Sequence, residues 1–540
     1  MRHPALKRLT LALFVPLGLA ACAGPSGKGS VSVNGNPIVH PAAGRLEGRM
    51  EAGVRAFKGI PYAQAPVGPL RWQAPQAPAG WNGTRQAAGF GPRCMQLPLF
   101  SDMVFRSNGM SEDCLYLNVW APSQPTANAR LPVLVYFYGG GLVGGDGSEP
   151  RYDGAAMARR GIVAMTVNYR LGVFGFLAHP GLSAESPNQA SGNYGFMDQA
   201  AALRWVRDNI AAFGGDPKRV TIAGESAGSF SVSAQMASPL AKDLIAGAIG
   251  ESGALLGLTP LPALKEAESQ GERYARQVNA PDLAALRALP AQTLLQATAA
   301  QGTPRFGAVV DGYVFPEPPA AIYAAGRQAK VPLLAGWNSA EGSAESIVGG
   351  GGMNEEALSA GLRKLYGAQA GAARQAYAGG VEQAAREIAS DRFIGFGTWR
   401  WIDLHAKTGG QPVYRYYYTQ PRPATRDGKP AATGAGHSVE IEYALGNLDG
   451  NPVYAWTEQD RAVSRQLQAY FANFINSGNP NGGGMPLWPA LGAQGAGDGT
   501  PLMVLGAASR VEAARDGAHH AFHQQLAKAA ESAPPVASSR

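Results

Sequence analysis

Between residues 115 and 260, short apolar runs rich in β-branched and aromatic residues alternate with stretches of helical periodicity. That alternation predicts a parallel sheet with crossover helices, an α/β architecture. Leu131 to Tyr138 is a β-rich run that ends at Gly139-Gly140-Gly141, and Ile162 to Asn168 is a second. Arg219 to Gly224 reads as a short buried strand and Leu244 to Ile249 as another. From Tyr194 to Phe213, Ala201, Leu203, Val206, Ile210 and Phe213 fall on or near one helical face. Small residues from Ala227 to about Met236 predict a second helix. Further on, 260–305 alternates helical stretches with turns, Val331–Ala335 and Val413–Tyr418 read as strands, and Glu341–Ile388 is largely helical with a four-glycine hinge at 349–352. A helix from about Glu458 to Ser477 meets a strong stop, Gly478-Asn479-Pro480-Asn481. The tail from Lys528, rich in Ala, Ser and Pro, is expected to be disordered. One large domain over 36–527 is the expected organisation.

Composition narrows the class. The 540 residues are 45% hydrophobic and only 16% charged, which excludes a disordered or fibrous chain. Length alone would suggest several domains, but α/β enzymes absorb long insertions into one. The net charge of +7 invites a polyanion-binding reading. Residues 1–21 carry Arg2, Lys7 and Arg8, so their removal leaves 7 − 3 = +4. The other basic residues are scattered without a run, and no nucleic-acid partner is expected.

The N-terminus carries its own message. A basic start, Met1 to Arg8, precedes an apolar stretch from Leu9 to Ala21, thirteen residues where a bilayer core needs about twenty. This is the pattern of an export signal rather than a membrane span. Leu19-Ala20-Ala21-Cys22 resembles a bacterial lipobox, in which a thiolate accepts diacylglycerol before cleavage exposes it as the new N-terminus. Residues 22–35 then read as a tether, and the expected location is a membrane on the periplasmic or outer side, held by the Cys22 lipid. With Cys22 so used, Cys94 and Cys114 remain, and an oxidising compartment permits their disulfide, worth roughly 3 kcal/mol.

The chemistry centres on Gly224-Glu225-Ser226-Ala227-Gly228, between a predicted strand and a predicted helix. A serine on so sharp a turn needs small neighbours, and Gly224, Ala227 and Gly228 meet that demand. The turn exposes the Ser226 hydroxyl and directs the Ala227 amide toward a developing oxyanion. A neutral hydroxyl needs a base, and in strand–turn–helix nucleophile sites the chain order is Ser, acid, His. That order favours His405 or His437 over His3, His40, His179 and the three in a polar C-terminal helix, His519, His520 and His523. His437 follows Thr433-Gly434-Ala435-Gly436, a loop that can present a side chain to a cleft, whereas His405 lies in a helical run suited to a packed histidine. For the acid, Glu341 follows the strand at Val331–Ala335, with Asp311 and Glu345 as alternatives. Gly139-Gly140-Gly141 after a strand can supply oxyanion-binding amides, since residues without Cβ let a substrate approach closely.

These residues sit in longer motifs. Phe213-Gly214-Gly215-Asp216-Pro217-Lys218-Arg219-Val220-Thr221-Ile222-Ala223 leads into the serine turn, and Glu112-Asp113-Cys114-Leu115-Tyr116-Leu117-Asn118-Val119 lies upstream. Gly59-Ile60-Pro61-Tyr62-Ala63, Asn168-Tyr169-Arg170-Leu171-Gly172 and His437-Ser438-Val439-Glu440-Ile441-Glu442-Tyr443 complete the set. Together they resemble the type B carboxylesterases over about residues 30–505. The resemblance implies an α/β-hydrolase fold, hydrolysis of small carboxylic esters through an acyl-enzyme, and no metal or organic cofactor. It implies Ser226, Glu341 and His437 as a triad, and the amides of Gly140, Gly141 and Ala227 as an oxyanion hole. It also implies the Cys94–Cys114 disulfide and buried ion pairs of Arg71 with Glu112 and Arg170 with Asp198. The Cys94–Cys114 loop lacks the cation-binding Trp of cholinesterases and offers Phe100 and Phe105, which argues against choline esters. The family also contains binding members that have lost catalysis, but those typically lack a triad residue. Acyl transfer to an alcohol is the other alternative, and it requires a dry acceptor pocket.

Overall fold

A computed structural model describes Met1 and residues 30–31, 35–124 and 129–532. The export signal, Cys22 and most of the tether therefore lie outside the described residues. Among the described residues eleven strands form one sheet, which we number β1 (Arg49–Glu51), β2 (Val54–Pro61), β3 (Tyr116–Pro122), β4 (Leu131–Phe137), β5 (Val163–Val167), β6 (Gly215–Glu225), β7 (Gly247–Glu251), β8 (Leu333–Asn338), β9 (Val413–Tyr418), β10 (Pro501–Leu505) and β11 (Arg510–Ala513). Their spatial order is β11-β10-β9-β8-β7-β6-β4-β5-β3-β2-β1. Every pairing from β5 across to β10 is parallel, and antiparallel strands close both edges.

The expected strands are present, with two displaced toward the C-terminus. The segment predicted at Leu244–Ile249 is a strand only over Gly247–Glu251, because Lys242–Leu244 is wound into a 3-10 turn before the chain joins β6. The strand predicted at Val331–Ala335 runs over Leu333–Asn338, where pairing with β9 continues as far as Asn338 and Tyr418 and buries the polar Asn338. Helix α1 (Tyr194–Asn209) and a 3-10 turn, Ile210–Phe213, together fill the predicted 194–213 segment. Helix α2 (Ala227–Ala237) follows β6 directly.

The 341–388 region is helical in short pieces, and Ile347, Leu358, Leu362, Tyr377 and Ile388 form a satellite core of their own. The C-terminus corrects an expectation. Helix α3 (Gly517–Ser532) continues past Lys528, and its His520 and His523 are fully buried, not displayed on a polar helix. His520 stacks on Trp399 at 4.6 Å, Phe522 joins the satellite core and Glu531 pairs with Arg400, so the helix is packed against the rest of the protein.

Candidate active site

The reversal of strand order places β4 between β5 and β6, so the connections leaving β4 and β6 diverge around a crevice at the carboxyl ends of these strands. Phe137 is in register with Gly224, which brings the glycine loop after β4 beside the turn after β6. In that turn Ser226 adopts φ 55°, ψ −120°, a conformation that costs a non-glycine residue about 1–3 kcal/mol. Its neighbours show why the strain persists. A Cβ on Gly228 would lie 2.0 Å from the Phe137 carbonyl oxygen, and one on Gly224 would lie 2.5 Å from the Gly228 carbonyl carbon. Ser226 N–H donates to the Glu251 carbonyl at 2.9 Å, tying the turn to β7.

The glycine loop lies beside the half-buried Ser226, where a Cβ on Gly139 would fall 3.3 Å from the serine Cβ. Gly140 and Gly141 have positive φ (109° and 63°), and their N–H groups donate to no acceptor among the described residues. Ala227 is the first residue of α2, where an amide has no intrahelical acceptor. The loop is held by two bonds into the Gly140 carbonyl, from the amides of Val143 and Gly144, each at 3.0 Å. A Cβ on Gly139 would meet Glu225 Oε2 at 2.7 Å, so only glycine fits there.

Glu341 and His437 come from loops that a bridge between Ala340 and Gly436 brings together. His437 Nδ1–H donates to Glu341 Oε2 at 2.6 Å. The other carboxylate oxygen of Glu341 accepts from Ser252 Oγ at 2.5 Å and the Asn338 amide at 2.7 Å. With its lone pairs so occupied, the carboxylate cannot turn away from the imidazole. Phe393, exposed at the mouth, packs edge-on against the imidazole at 4.9 Å. His437 Nε2 faces Glu225 Oε1 at 3.2 Å, and no hydrogen bond joins it to Ser226 Oγ.

Around the His437–Glu341 pair lies a set of buried carboxyls that sequence reasoning passed over: Glu225, Glu251 and Glu440. Burial raises Glu225 to about 8 and Glu440 to about 7, and pushes Glu251 upward as well. For His437, burial disfavours the charged form, but Glu225 and then Glu341 outweigh it and raise the imidazole to about 10. Tyr136 OH donates to Glu251, and Asn338 Nδ2 donates to Glu440, so part of this acidity is satisfied by neutral donors. Glu225 and Glu440 lie inside the motifs around Ser226 and His437; the available signal was a carboxyl in a segment otherwise destined for the core.

The remaining sequence candidates fall elsewhere. His405 is fully buried, its Nε2 2.8 Å from the Val331 carbonyl, and burial lowers it to about 4. Asp311 caps a turn by accepting the amides of Tyr313, Val314 and Phe315, and Glu345 is exposed at the start of a short helix. Cys94 and Cys114 are disulfide-bonded. Both ion pairs form: Arg71 holds Glu112 in a two-pronged contact at 2.6 Å, and Arg170 holds Asp198 at 2.8 Å. Arg71 also donates to the carbonyls of Arg287 and Leu289, so it fixes one loop against another, the role suited to a buried pair that adds little stability.

Residues 35–499 match the model of the carboxylesterase family. The chain belongs to the carboxylesterase family. It is 35% identical to the fumonisin B1 esterase of Sphingopyxis macrogoltabida over 85% of both chains. Identity to the para-nitrobenzyl esterase of Bacillus subtilis is 36%, over 84% of this chain and 92% of that one. Among solved structures, a Geobacillus stearothermophilus carboxylesterase superposes with a TM-score of 0.76 at 33% identity, covering 91% of this chain and 99% of its own. The fold is the α/β-hydrolase fold, and this carboxylesterase is a serine hydrolase of carboxylic esters.

Proposed function

We propose that the reaction runs through an acyl-enzyme on Ser226, with His437 as base and acid and Glu341 as its orienting partner. The observation that carries this is the His437–Glu341 contact, braced by Ser252 and Asn338, beside a strained serine turn with unengaged amides. In acylation, neutral His437 Nε2 accepts the Ser226 proton as Oγ forms a bond to the ester carbonyl carbon. The carbonyl oxygen becomes an oxyanion and takes hydrogen bonds from Gly140, Gly141 and Ala227. Collapse breaks the bond to the alcohol oxygen, which leaves with the proton from His437. Water repeats the sequence, releasing the acid and restoring Ser226. Catalytic hydrogen bonds often tighten only once substrate is bound, which suits an imidazole that faces Glu225 in the free enzyme.

The test is release of para-nitrophenol from short acyl esters, together with mass-spectrometric detection of an organophosphate adduct. A protein that releases none and carries no adduct on Ser226 would sink the reading. The Ser226→Ala variant supplies the blank. We also propose that the mature enzyme is tethered by lipid on Cys22 outside the cytoplasm, a reading supported by the basic start, the short apolar run and Leu19-Ala20-Ala21-Cys22. Cells fed radiolabelled palmitate should label the wild type and not Cys22→Ser; equal labelling of both would overturn it.

A further inference from the structure

The glycine loop has two unlike walls. A Cβ on Gly140 would lie 2.9 Å from Met103 Cε, and one on Gly144 would lie 3.4 Å from the Phe100 ring, so the disulfide loop lays an apolar surface along one side. On the other side, the nearest atom to a Cβ on Gly141 is Arg305 Nη2, at 3.4 Å. Arg305 is exposed, and no carboxylate among the described residues lies within ion-pair distance of it. Its own neighbourhood supplies none. No Asp or Glu occurs between Leu283 and Val310, and the segment from Ser252 to Ala263 carries no charge at all. Acidic groups elsewhere around the loop are already engaged. Asp102 pairs with Arg151, Asp146 accepts from Ser107 and Ser148, and Glu149 pairs with Arg151. The next residue, Phe306, is buried against Tyr274 at 5.1 Å, which anchors the chain at the point where the guanidinium leaves it.

We propose that Arg305 is a specificity-determining residue that selects esters bearing a second, free carboxylate a few bonds from the scissile carbonyl. This rests on the reading above, because the carbonyl oxygen is placed by the Gly141 amide that the guanidinium adjoins. A guanidinium offers planar paired donors that match a carboxylate. With no protein acid competing, those donors are open to the substrate. A neutral ester makes no such pair and gains only the apolar wall of Phe100 and Met103. The carboxylate could sit on the acyl or the alcohol part, and the chemistry of recognition is the same.

The experiment compares four esters on the full-length enzyme: methyl valerate and monomethyl glutarate for the acyl side, ethyl butyrate and butyryloxyacetate for the alcohol side. Arg305→Gln should lower kcat/KM for one of the two carboxylated esters by about 10- to 100-fold and change its neutral counterpart less than about threefold. The arm that falls identifies which part of the substrate carries the charge. Arg305→Glu should lower that same ester further, Arg305→Lys should restore part of the rate, and added salt should erode the wild-type rate on the acid ester alone. Equal losses on neutral and carboxylated esters would overturn the proposal, since Arg305 would then act on the oxyanion or on folding. Unchanged rates on all four esters would overturn it too. A wild type inactive on both neutral esters, with no Ser226 adduct, would instead reject the acyl-enzyme reading itself.

Discussion

Glu225 stands 3.2 Å from His437 Nε2, the nitrogen that takes the Ser226 proton in the proposed mechanism, so Glu225→Gln perturbs that group directly while keeping side-chain shape. His437 is raised from 6.5 to about 10, against a burial effect that lowers it; the charge of Glu225 is the first of the causes that raise it, followed by the charge and hydrogen bond of Glu341 and the charge of Glu440. A rise of that size corresponds to about 5 kcal/mol, shared among Glu225, Glu341 and Glu440. The sign follows from charge. A carboxylate beside Nε2 favours the imidazolium, so its removal lowers the pH at which half the histidine is neutral. The acid limb of kcat/KM against pH, which reports the free enzyme, should therefore move down by about one unit in Glu225→Gln. The assay is hydrolysis of a neutral para-nitrophenyl ester from about pH 5 to about pH 10, corrected for spontaneous release. An acid limb that moves by less than about half a unit would refute the assignment of Glu225 as a charge that raises His437.

Three further outcomes follow from the geometry. Ser226→Ala should lower kcat by at least about 10⁴-fold and abolish the organophosphate adduct while leaving the circular dichroism unchanged. Gly228→Ala places a Cβ 2.0 Å from the Phe137 carbonyl oxygen, so it should cost about 3 kcal/mol or more by urea unfolding and disturb the serine turn; a variant of wild-type stability and activity would contradict that packing. Cys94→Ser with Cys114→Ser should lower stability by roughly 2–4 kcal/mol, and it should also raise KM, because Phe100 and Met103 on that loop line the glycine amides.

What could be read along the chain was what local geometry compels. Gly224, Ala227 and Gly228 had to be small for a strand to turn into a helix around Ser226, whereas chain order alone left His405 beside His437 and Asp311 and Glu345 beside Glu341, and loop context with the family resemblance chose between them. Strand ends were less legible: Asn338 looks like a loop residue until Tyr418 pairs beside it and Glu440 accepts its amide. Helix α3 misled for the same reason, since His520 and His523 read as polar until Trp399 and Phe396 pack over them. Arg305 has no sequence signature at all, because its meaning lies in a distance to Gly141, 164 residues away along the chain.

The site joins two demands that pull in opposite directions. A basic histidine needs nearby negative charge to stabilise the imidazolium, yet buried carboxyls resist ionisation. Glu341 takes two donors on one oxygen and turns its other oxygen to Nδ1. Glu225 has no such donors on Oε1 beyond the imidazole, and burial raises it to about 8. It therefore shares a proton with His437 rather than holding a fixed charge. Binding of an ester that draws Nε2 toward Ser226 removes the partner that favours the ionised Glu225. A neutral Glu225 in turn leaves His437 less basic and closer to the neutral form that acylation requires. Proton position and imidazole orientation are thereby linked, which is why the pH profile, more than the rate at one pH, is the measurement that discriminates between Glu225 as a charge on the base and Glu225 as packing.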